Sequence, residues 1–204
     1  MIAIVDYGVG NLFSLCSSFK KIGAEAVVTS EKRVIENADK IILPGVGAFA
    51  DAAQKLCDTG LGELVKEQAQ KGKYMMGICL GMQLLFEKSY EYGCHEGLGL
   101  LKGSVDPMKG YIDPALKIPH IGWNGLHFSR PHFLFKYIKE GDHTYFVHSY
   151  HATNCADSLI ATTEYDKELT AAVGKENVLG CQFHPEKSGD VGLNILRAFV
   201  EQKD

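Results

Sequence analysis

The segment Tyr74-Met75-Met76-Gly77-Ile78-Cys79-Leu80-Gly81-Met82-Gln83 carries the strongest structural signal in the chain. Its first half is a continuous apolar run, which is typical of a buried parallel strand. Its centre has the form G-x-C-x-G, the thiol version of the G-x-S-x-G nucleophile elbow. The pattern that follows, Leu80, Gln83, Leu84 and Glu87, predicts a helix. We therefore expect a sharp strand-to-helix turn with a cysteine at its tip.

Cys79 is the candidate nucleophile of this turn. At a helix N-terminus the helix dipole favours the thiolate, which is the reactive form of cysteine. Gly77 and Gly81 allow the backbone to turn sharply and a second segment to approach closely. The alternative is a small buried cysteine on a tight turn, because free cysteines are among the most buried residues.

His184 is the candidate base, and it follows the apolar run Val178 to Phe183. It would lie at the C-terminal edge of a strand, where open α/β sheets place their chemistry. Pro185 restricts His184 to extended geometry, and Glu186 is placed to orient the imidazole as the third member of a triad. Considered alone, the segment also fits a strand-end turn with a solvated glutamate.

Strand and helix patterns alternate through the first hundred residues, and this predicts a parallel sheet flanked by helices. Between about residues 100 and 180 short β-like runs separated by Gly, Pro and Asn predict a mixed or antiparallel extension. The expected fold is therefore α/β with three layers, a mostly parallel central sheet and a β extension. We see no linker, and expect one domain over residues 1–204. The predicted strands are 2–5, 26–29, 40–43, 74–78, 126–128, 144–148, 159–163, 169–173 and 178–183, and the predicted helices are 12–22, 49–57, 61–70 and 191–200.

Composition excludes few functions, but it indicates which partners and which cellular compartment to expect. The chain has 204 residues and a formal net charge of −4, without a basic run, so we expect no nucleic-acid or membrane partner. Residues 1–6 look like a strand and not like a signal peptide, and no apolar stretch reaches transmembrane length. The six cysteines form no Cys-x-x-Cys pair and are expected to be reduced. We therefore expect a cytoplasmic protein.

No cofactor or metal is expected. Gly8-Val9-Gly10 lacks the third glycine of a dinucleotide fingerprint, because position 13 is phenylalanine. His148 and His151 would point to opposite faces of one strand, and no third metal ligand stands at a suitable spacing.

Cys79 and His184 in their sequence contexts resemble the class I, triad-type glutamine amidotransferases, whose central sheet is flavodoxin-like. The segments that carry the resemblance extend from residue 1 to about residue 200. Some of them point more narrowly to the glutaminase subunits of imidazole glycerol phosphate synthases, enzymes of histidine biosynthesis. The segments are Asp6-Tyr7-Gly8-Val9-Gly10-Asn11-Leu12, Leu43-Pro44-Gly45-Val46-Gly47-Ala48-Phe49, Gly77 to Gln83, Pro119-His120-Ile121-Gly122-Trp123-Asn124, Tyr145-Phe146-Val147-His148-Ser149-Tyr150 and Gln182-Phe183-His184-Pro185-Glu186.

The resemblance implies hydrolysis of L-glutamine by a Cys79-His184-Glu186 triad. The Leu80 backbone N–H is an expected oxyanion donor in an elbow, and the resemblance adds a second near Val46. An ordinary glycine turn is the alternative at Gly45 to Gly47. The substrate-binding residues that the resemblance implies are Gly47, Gln83, Glu91, Ser149 and Tyr150. Gln83 would lie one helical turn from Cys79, so a shared face is reasonable, and a solvated helix position is the alternative.

The resemblance also implies a partner that uses the ammonia, a cyclase subunit with a (β/α)8 barrel in a heterodimer. Our candidates for its contact surface are Asn11, Trp123, Tyr145 and Lys187, although a core position is the default for a single tryptophan. Two alternatives stay open: an amidotransferase subunit that supplies another synthase, and a non-catalytic binding module on the same fold. A DJ-1-like or peptidase-like cysteine hydrolase shares the elbow but does not explain Gln83 and the His-Pro-Glu segment together.

Overall fold

The structure is a computed structural model that describes residues 1–203. Its α-helices are α1 Leu12–Lys21, α2 Lys32–Asn37, α3 Phe49–Thr59, α4 Leu61–Gln70, α5 Leu80–Leu84 and α6 Gly189–Glu201. Two short 3-10 turns cover Phe133–Phe135 and Pro185–Lys187. The strands are β1 Ile2–Val5, β2 Ala26–Thr29, β3 Lys40–Leu43, β4 Met75–Ile78, β5 Phe86–Ser89, β6 His95–Glu96, β7 Leu101–Pro107, β8 His120–Gly125, β9 His127–Phe128, β10 His143–His148, β11 Tyr150–Thr153, β12 Leu159–Tyr165, β13 Lys167–Lys175 and β14 Val178–Cys181.

The central sheet has eight strands in the order β2-β1-β3-β4-β14-β13-β12-β9. Its first five strands are mutually parallel, and the last three add antiparallel pairings. Every residue of β1, β3, β4 and β14 is buried, as expected for parallel strands covered on both faces. Two apolar clusters, one on each face, pack the helices against this sheet. The predicted α/β architecture is confirmed.

The register between β4 and β14 determines where the candidate catalytic residues lie. They are parallel neighbours, with Gly180 opposite Gly77 and Cys181 opposite Ile78. Because parallel strands end at the same edge of a sheet, the residues that follow both strands emerge side by side there. Cys79 and the segment that begins at Gln182 are therefore adjacent.

The β extension lies outside this sheet. Strands β11, β7, β5 and β6 form a four-stranded sheet, and β10 pairs with β8 in an antiparallel ribbon. The mixed region was correctly predicted, but it starts at Phe86, before the predicted residue 100.

The helix after the elbow is shorter than predicted. It ends at Leu84, and Glu87 belongs to β5 instead. Strand β5 pairs in parallel with β7, and Leu101 N–H donates to the Leu85 carbonyl. These pairings join residues that are distant in sequence, so the local helical spacing could not reveal them.

Candidate active site

Cys79 occupies a strained turn between β4 and α5. Its φ is 54° and its ψ is −112°, which is rare for a residue other than glycine and costs about 1–3 kcal/mol. Its N–H donates to the Cys181 carbonyl at 2.8 Å, which ties the turn to β14. Because α5 has only five residues, the helix dipole contributes less to the thiolate than the sequence suggested.

The glycines of the elbow allow the close approach that the sequence predicted. A Cβ on Gly81 would stand 1.8 Å from the Leu43 carbonyl oxygen, at the end of β3. A Cβ on Gly77 would stand 2.5 Å from the Gly81 carbonyl oxygen. Real Cβ atoms do not come so close to backbone, so both positions require glycine if β3, β4 and α5 are to pack as they do.

The structure brings His184 and Glu186 together beside Cys79. His184 Nδ1 lies 2.8 Å from Glu186 Oε1, and the two side chains are 4% and 1% exposed. The turn is fixed because His184 N–H donates to the Tyr145 carbonyl at 2.9 Å and Ser188 Oγ donates to the His184 carbonyl at 2.6 Å. Burial alone would lower the pKa of His184. The hydrogen bonds and negative charges of Cys79 and Glu186 outweigh burial and raise that pKa well above its usual value.

His148 is the other imidazole at this site, but its surroundings hold it neutral. Burial lowers its pKa to about 3, and its Nδ1 donates to the Tyr150 carbonyl at 2.8 Å. Its Nε2 lies 3.1 Å from Nδ1 of the buried His120. His148 and His151 lie on different strands, β10 and β11, and not on one strand as the sequence suggested. A neutral, doubly bonded His148 leaves His184 as the group that can exchange a proton with Cys79.

Cys79 and His184 open into a cavity of about 800 Å³. All the predicted oxyanion and substrate-binding residues line it, whereas Glu186 lies behind His184 and does not. The predicted residues in its wall are Val46, Gly47, Cys79, Leu80, Gln83, Glu91, Ser149, Tyr150, His184 and Lys187. Tyr92 and Lys109 also line it, and no local pattern around either residue indicates this role.

Two of the predicted substrate-binding side chains are already held by protein groups. Gln83 is 5% exposed, so it is not a solvated helix residue, and its Nε2 donates to the Tyr150 carbonyl at 3.3 Å. Glu91 Oε2 accepts a hydrogen bond from the Phe49 N–H at the start of α3. Both residues line a cavity that is large enough for an amino acid.

The segment Pro44 to Gly47 reaches the cavity at Val46 and Gly47. The Tyr7 hydroxyl donates to the Pro44 carbonyl at 2.6 Å and fixes the start of the segment. Beyond that anchor, Val46 is 40% exposed, and Gly47 has a φ of 95° with open space where a Cβ would be. The segment is therefore held at one end and unobstructed at the other. Burial raises the pKa of Tyr7, and the neighbouring Cys79 adds to this.

Gln182 is a site residue that sequence reasoning missed. It is fully buried, and its Nε2 lies 3.6 Å from Cys79 Sγ. A signal was present, because Gln182 directly follows the buried strand β14 and stands two residues before the candidate base His184. It was overlooked because no local sequence pattern predicts that a glutamine is buried or which residue its amide contacts.

Of the predicted contact residues, Trp123 and Lys187 are exposed, whereas Asn11 and Tyr145 are half-buried. Trp123 and Tyr145 face each other across the β8–β10 ribbon with ring centroids 6.0 Å apart, and Trp123 is 52% exposed. Lys187 Nζ lies 5.7 Å from the centroid of the Tyr145 ring. Asn11 directly precedes α1, and α1 packs against the Pro185–Lys187 turn. Phe13, in α1 and 84% exposed, was not predicted. The surface position of Trp123 contradicts the default expectation of a core tryptophan.

Within residues 1–203, no three His, Cys, Asp or Glu side chains are grouped so that they could hold a metal ion. None of the helices in the same residues combines the length and the apolar character that a membrane span requires.

The chain is similar to known amidotransferases in sequence and in fold. A family model described as glutamine amidotransferase class-I matches residues 3–203. A protein of Caldanaerobacter subterraneus subsp. tengcongensis named imidazole glycerol phosphate synthase subunit HisH is 51% identical over 202 residues, 98% of each chain. The protein of that name from Lactococcus lactis subsp. lactis is 49% identical over 202 residues, again 98% of each chain.

Solved structures bear on the fold alone, because their sequences are distant. A crystal structure of a glutamine amidotransferase matches with a TM-score of 0.77 at 20% identity, over 98% of each chain. The structure of PurLQS from Thermotoga maritima matches with a TM-score of 0.72 at 20% identity, over 98% of this chain and 96% of the other.

Proposed function

The chain belongs to the class I glutamine amidotransferase family, and we propose that it works as the glutaminase subunit of an imidazole glycerol phosphate synthase. The observation that carries the proposal is the buried contact of His184 with Glu186 beside Cys79, at the floor of an amino-acid-sized cavity. Relatives with the subunit's name match over nearly their whole length, which supports the assignment to histidine biosynthesis.

The proposed reaction divides into two steps on one sulfur. The Cys79 thiolate attacks the side-chain amide carbon of glutamine, and the C–N bond breaks as His184 gives its proton to the leaving ammonia. A water molecule then attacks the γ-glutamyl thioester, gives a proton to His184, and releases glutamate and the thiolate. Glu186 stays ionised and holds the imidazole in place throughout. The net change is glutamine plus water to glutamate plus ammonia, without a cofactor.

Backbone donors stabilise the oxyanion in this proposal. The Leu80 N–H follows the nucleophile directly, and Val46 lines the same cavity, which supports it as the second donor. Gln83, Glu91, Ser149, Tyr150 and Gly47 hold the amino-acid end of glutamine. Glu91 suits its ammonium group, because a carboxylate in a cavity wall pairs well with a cation.

The partner is a second synthase subunit that consumes the ammonia. The relatives are named as subunits, which supports an assembly. We infer that this partner is a (β/α)8-barrel cyclase that forms a heterodimer through Asn11, Trp123, Tyr145 and Lys187 and binds a phosphorylated ribulosyl-ribosyl aminoimidazole compound. The cytoplasmic location remains a prediction from the sequence.

The test separates ammonia supply from ammonia use. We expect the Cys79→Ala variant, assembled with its partner, to lose glutamine-dependent synthesis of imidazole glycerol phosphate while keeping ammonia-dependent synthesis. Cys57→Ala is the matched control, because Cys57 is exposed on α3 and does not line the cavity, and it should keep both. Loss of ammonia-dependent synthesis in an assembled Cys79→Ala complex would contradict the proposed division. A co-purified partner that aminates another acceptor would identify a different synthase.

A further inference from the structure

We propose that Gln182 acts directly on the nucleophile: its side-chain amide N–H donates a hydrogen bond to Cys79 Sγ and stabilises the thiolate. The inference deepens the proposed function and rests on Cys79 being the nucleophile. Gln182 touches the reacting sulfur and therefore counts as a catalytic residue in this proposal.

The position of Gln182 follows from the register of the sheet. Strand β14 ends at Cys181, next to the end of β4, from which Cys79 follows. Gln182 N–H donates to the Ala171 carbonyl at 2.8 Å, so its backbone continues the pairing with β13. The chain bends at Gln182 and Phe183, and the side chains of Gln182 and His184 both reach Cys79. One side chain then meets the sulfur at 3.6 Å, and the other supplies the proton-exchanging imidazole.

The orientation of the Gln182 amide is fixed by a chain of partners. The Tyr150 carbonyl can only accept, so Gln83 must turn its NH2 group toward it. The same NH2 group donates to Gln182 Oε1 at 3.0 Å. Gln182 must therefore present its own NH2 group to the sulfur. If the Gln182 amide were reversed, its Oε1 would face the anionic sulfur of Cys79 and its NH2 group would face the NH2 group of Gln83.

Because the site is buried, this hydrogen bond contributes strongly to the stability of the thiolate. Cys79 is 7% exposed, so water is largely replaced around its sulfur. A buried anion needs donors, and hydrogen bonds to charged groups are roughly twice as strong as neutral ones. His184 is one donor, but it gives up its proton when ammonia leaves. Gln182 keeps its N–H throughout, and can also stabilise the thiolate when it departs from the thioester.

Gln83 has a second role besides lining the substrate cavity, because it connects two hydrogen bonds. Its amide nitrogen links the Tyr150 carbonyl, in the wall of the substrate cavity, to the Gln182 amide and so to the sulfur. A change in Tyr150 on substrate binding would reach Cys79 through these two amides.

The test measures how readily Cys79 reacts with iodoacetamide as pH is varied, with mass-spectrometric mapping on the full chain. We expect the midpoint of the rate profile to rise by about one pH unit in Gln182→Met, which keeps the side-chain size and removes the donor. Gln182→Glu keeps the shape and adds a negative charge at alkaline pH, so its midpoint should rise further. At neutral pH we expect kcat to fall by about tenfold in Gln182→Met with little change in KM.

Gln68→Met is the matched control, because Gln68 is also buried, 4% exposed, but lies on α4 outside the cavity. It should leave the midpoint and kcat unchanged. An unchanged midpoint in both Gln182 variants, with thermal unfolding like that of the parent, would overturn the inference. The alkylation assay needs no glutamine. A shifted midpoint in a chain that shows no glutaminase activity even in complex with its partner and the partner's ligand would therefore support the role of Gln182 and reject the proposed function.

Discussion

Replacing Glu186 by glutamine removes one charge from a buried pair and changes almost no volume. In the parent, Glu186 Oε1 lies 2.8 Å from His184 Nδ1, and the carboxylate is 1% exposed. A hydrogen bond to a charged group contributes about 1.5–3 kcal/mol. Because one pKa unit corresponds to about 1.36 kcal/mol, we expect the pKa of His184 to fall by about one to two units in Glu186→Gln.

The same loss should appear in catalysis. An imidazole that is less often protonated and less firmly oriented gives its proton to ammonia less readily, so we expect kcat to fall by about 10- to 100-fold. The KM for glutamine should change little, because Glu186 does not line the cavity. His184 is followed by NMR titration of its ring nitrogens, and kcat by coupled glutamate detection.

Stability should respond to pH with a definite sign. The pKa of His184 is raised in the folded chain, so the pair stabilises the fold fully below the unfolded histidine pKa near 6.5 and loses this effect as pH rises through the folded value. The stability difference between the parent and Glu186→Gln should therefore shrink on the alkaline side of neutrality.

Glu201→Gln is the control for both assays. Glu201 forms an exposed pair with Lys136, and its loss should leave His184 unaffected. An unchanged His184 titration in Glu186→Gln would refute the reasoning, because the carboxylate would then contribute nothing to the charge on the imidazole.

Three further outcomes are expected. Gly81→Ala should lower the thermal midpoint or prevent folding, because its Cβ would stand 1.8 Å from the Leu43 carbonyl oxygen, whereas Gly62→Ala, whose Cβ would meet its neighbours at 3.4 Å, should be tolerated; equal midpoints would contradict the packing argument. Trp123→Ala should weaken binding of the partner by about 30-fold or more in titration calorimetry, as loss of a central interface aromatic does; unchanged affinity would place the interface elsewhere. The free chain should hydrolyse glutamine slowly, and partner plus partner ligand should raise kcat by about 100- to 1,000-fold, the effect of one oxyanion donor near Val46; full activity of the free chain would mean that the donor is already in place.

The middle of the central sheet was predictable because β1, β3 and β4 are fully buried. A short apolar run can be recognised without knowledge of the strands that pair with it, and β1, β3 and β4 were all predicted to within a residue of their ends. The elbow was predictable because Gly77 and Gly81 stand at fixed distances from Cys79. In each case the cause of the structure lies within about ten residues of sequence.

What escaped prediction depends on partners far along the chain. Strand β5 has exposed residues at its centre and is defined by pairing with β7 and β6. The six-residue α2 is too short for a helical repeat to be read. Gln182 acquires its partners from α5 and from the elbow, 99 and 103 residues away. Ser149 and Tyr150 entered the expected site only through the family resemblance, since nothing local connects them with Cys79.

The most direct test of the glutaminase assignment is covalent labelling of the chain by a glutamine-mimicking diazo-ketone, with the modified residue mapped by mass spectrometry. Cys79 is the one cysteine of the six that lines the cavity with His184, whereas burial raises the pKa of Cys155 and Cys181 and keeps those thiols protonated. The account predicts a single adduct, on Cys79, that accumulates in step with the loss of glutamine hydrolysis and is prevented by excess glutamine. An adduct on another cysteine with Cys79 unmodified, or activity that persists after Cys79 is fully labelled, would contradict it.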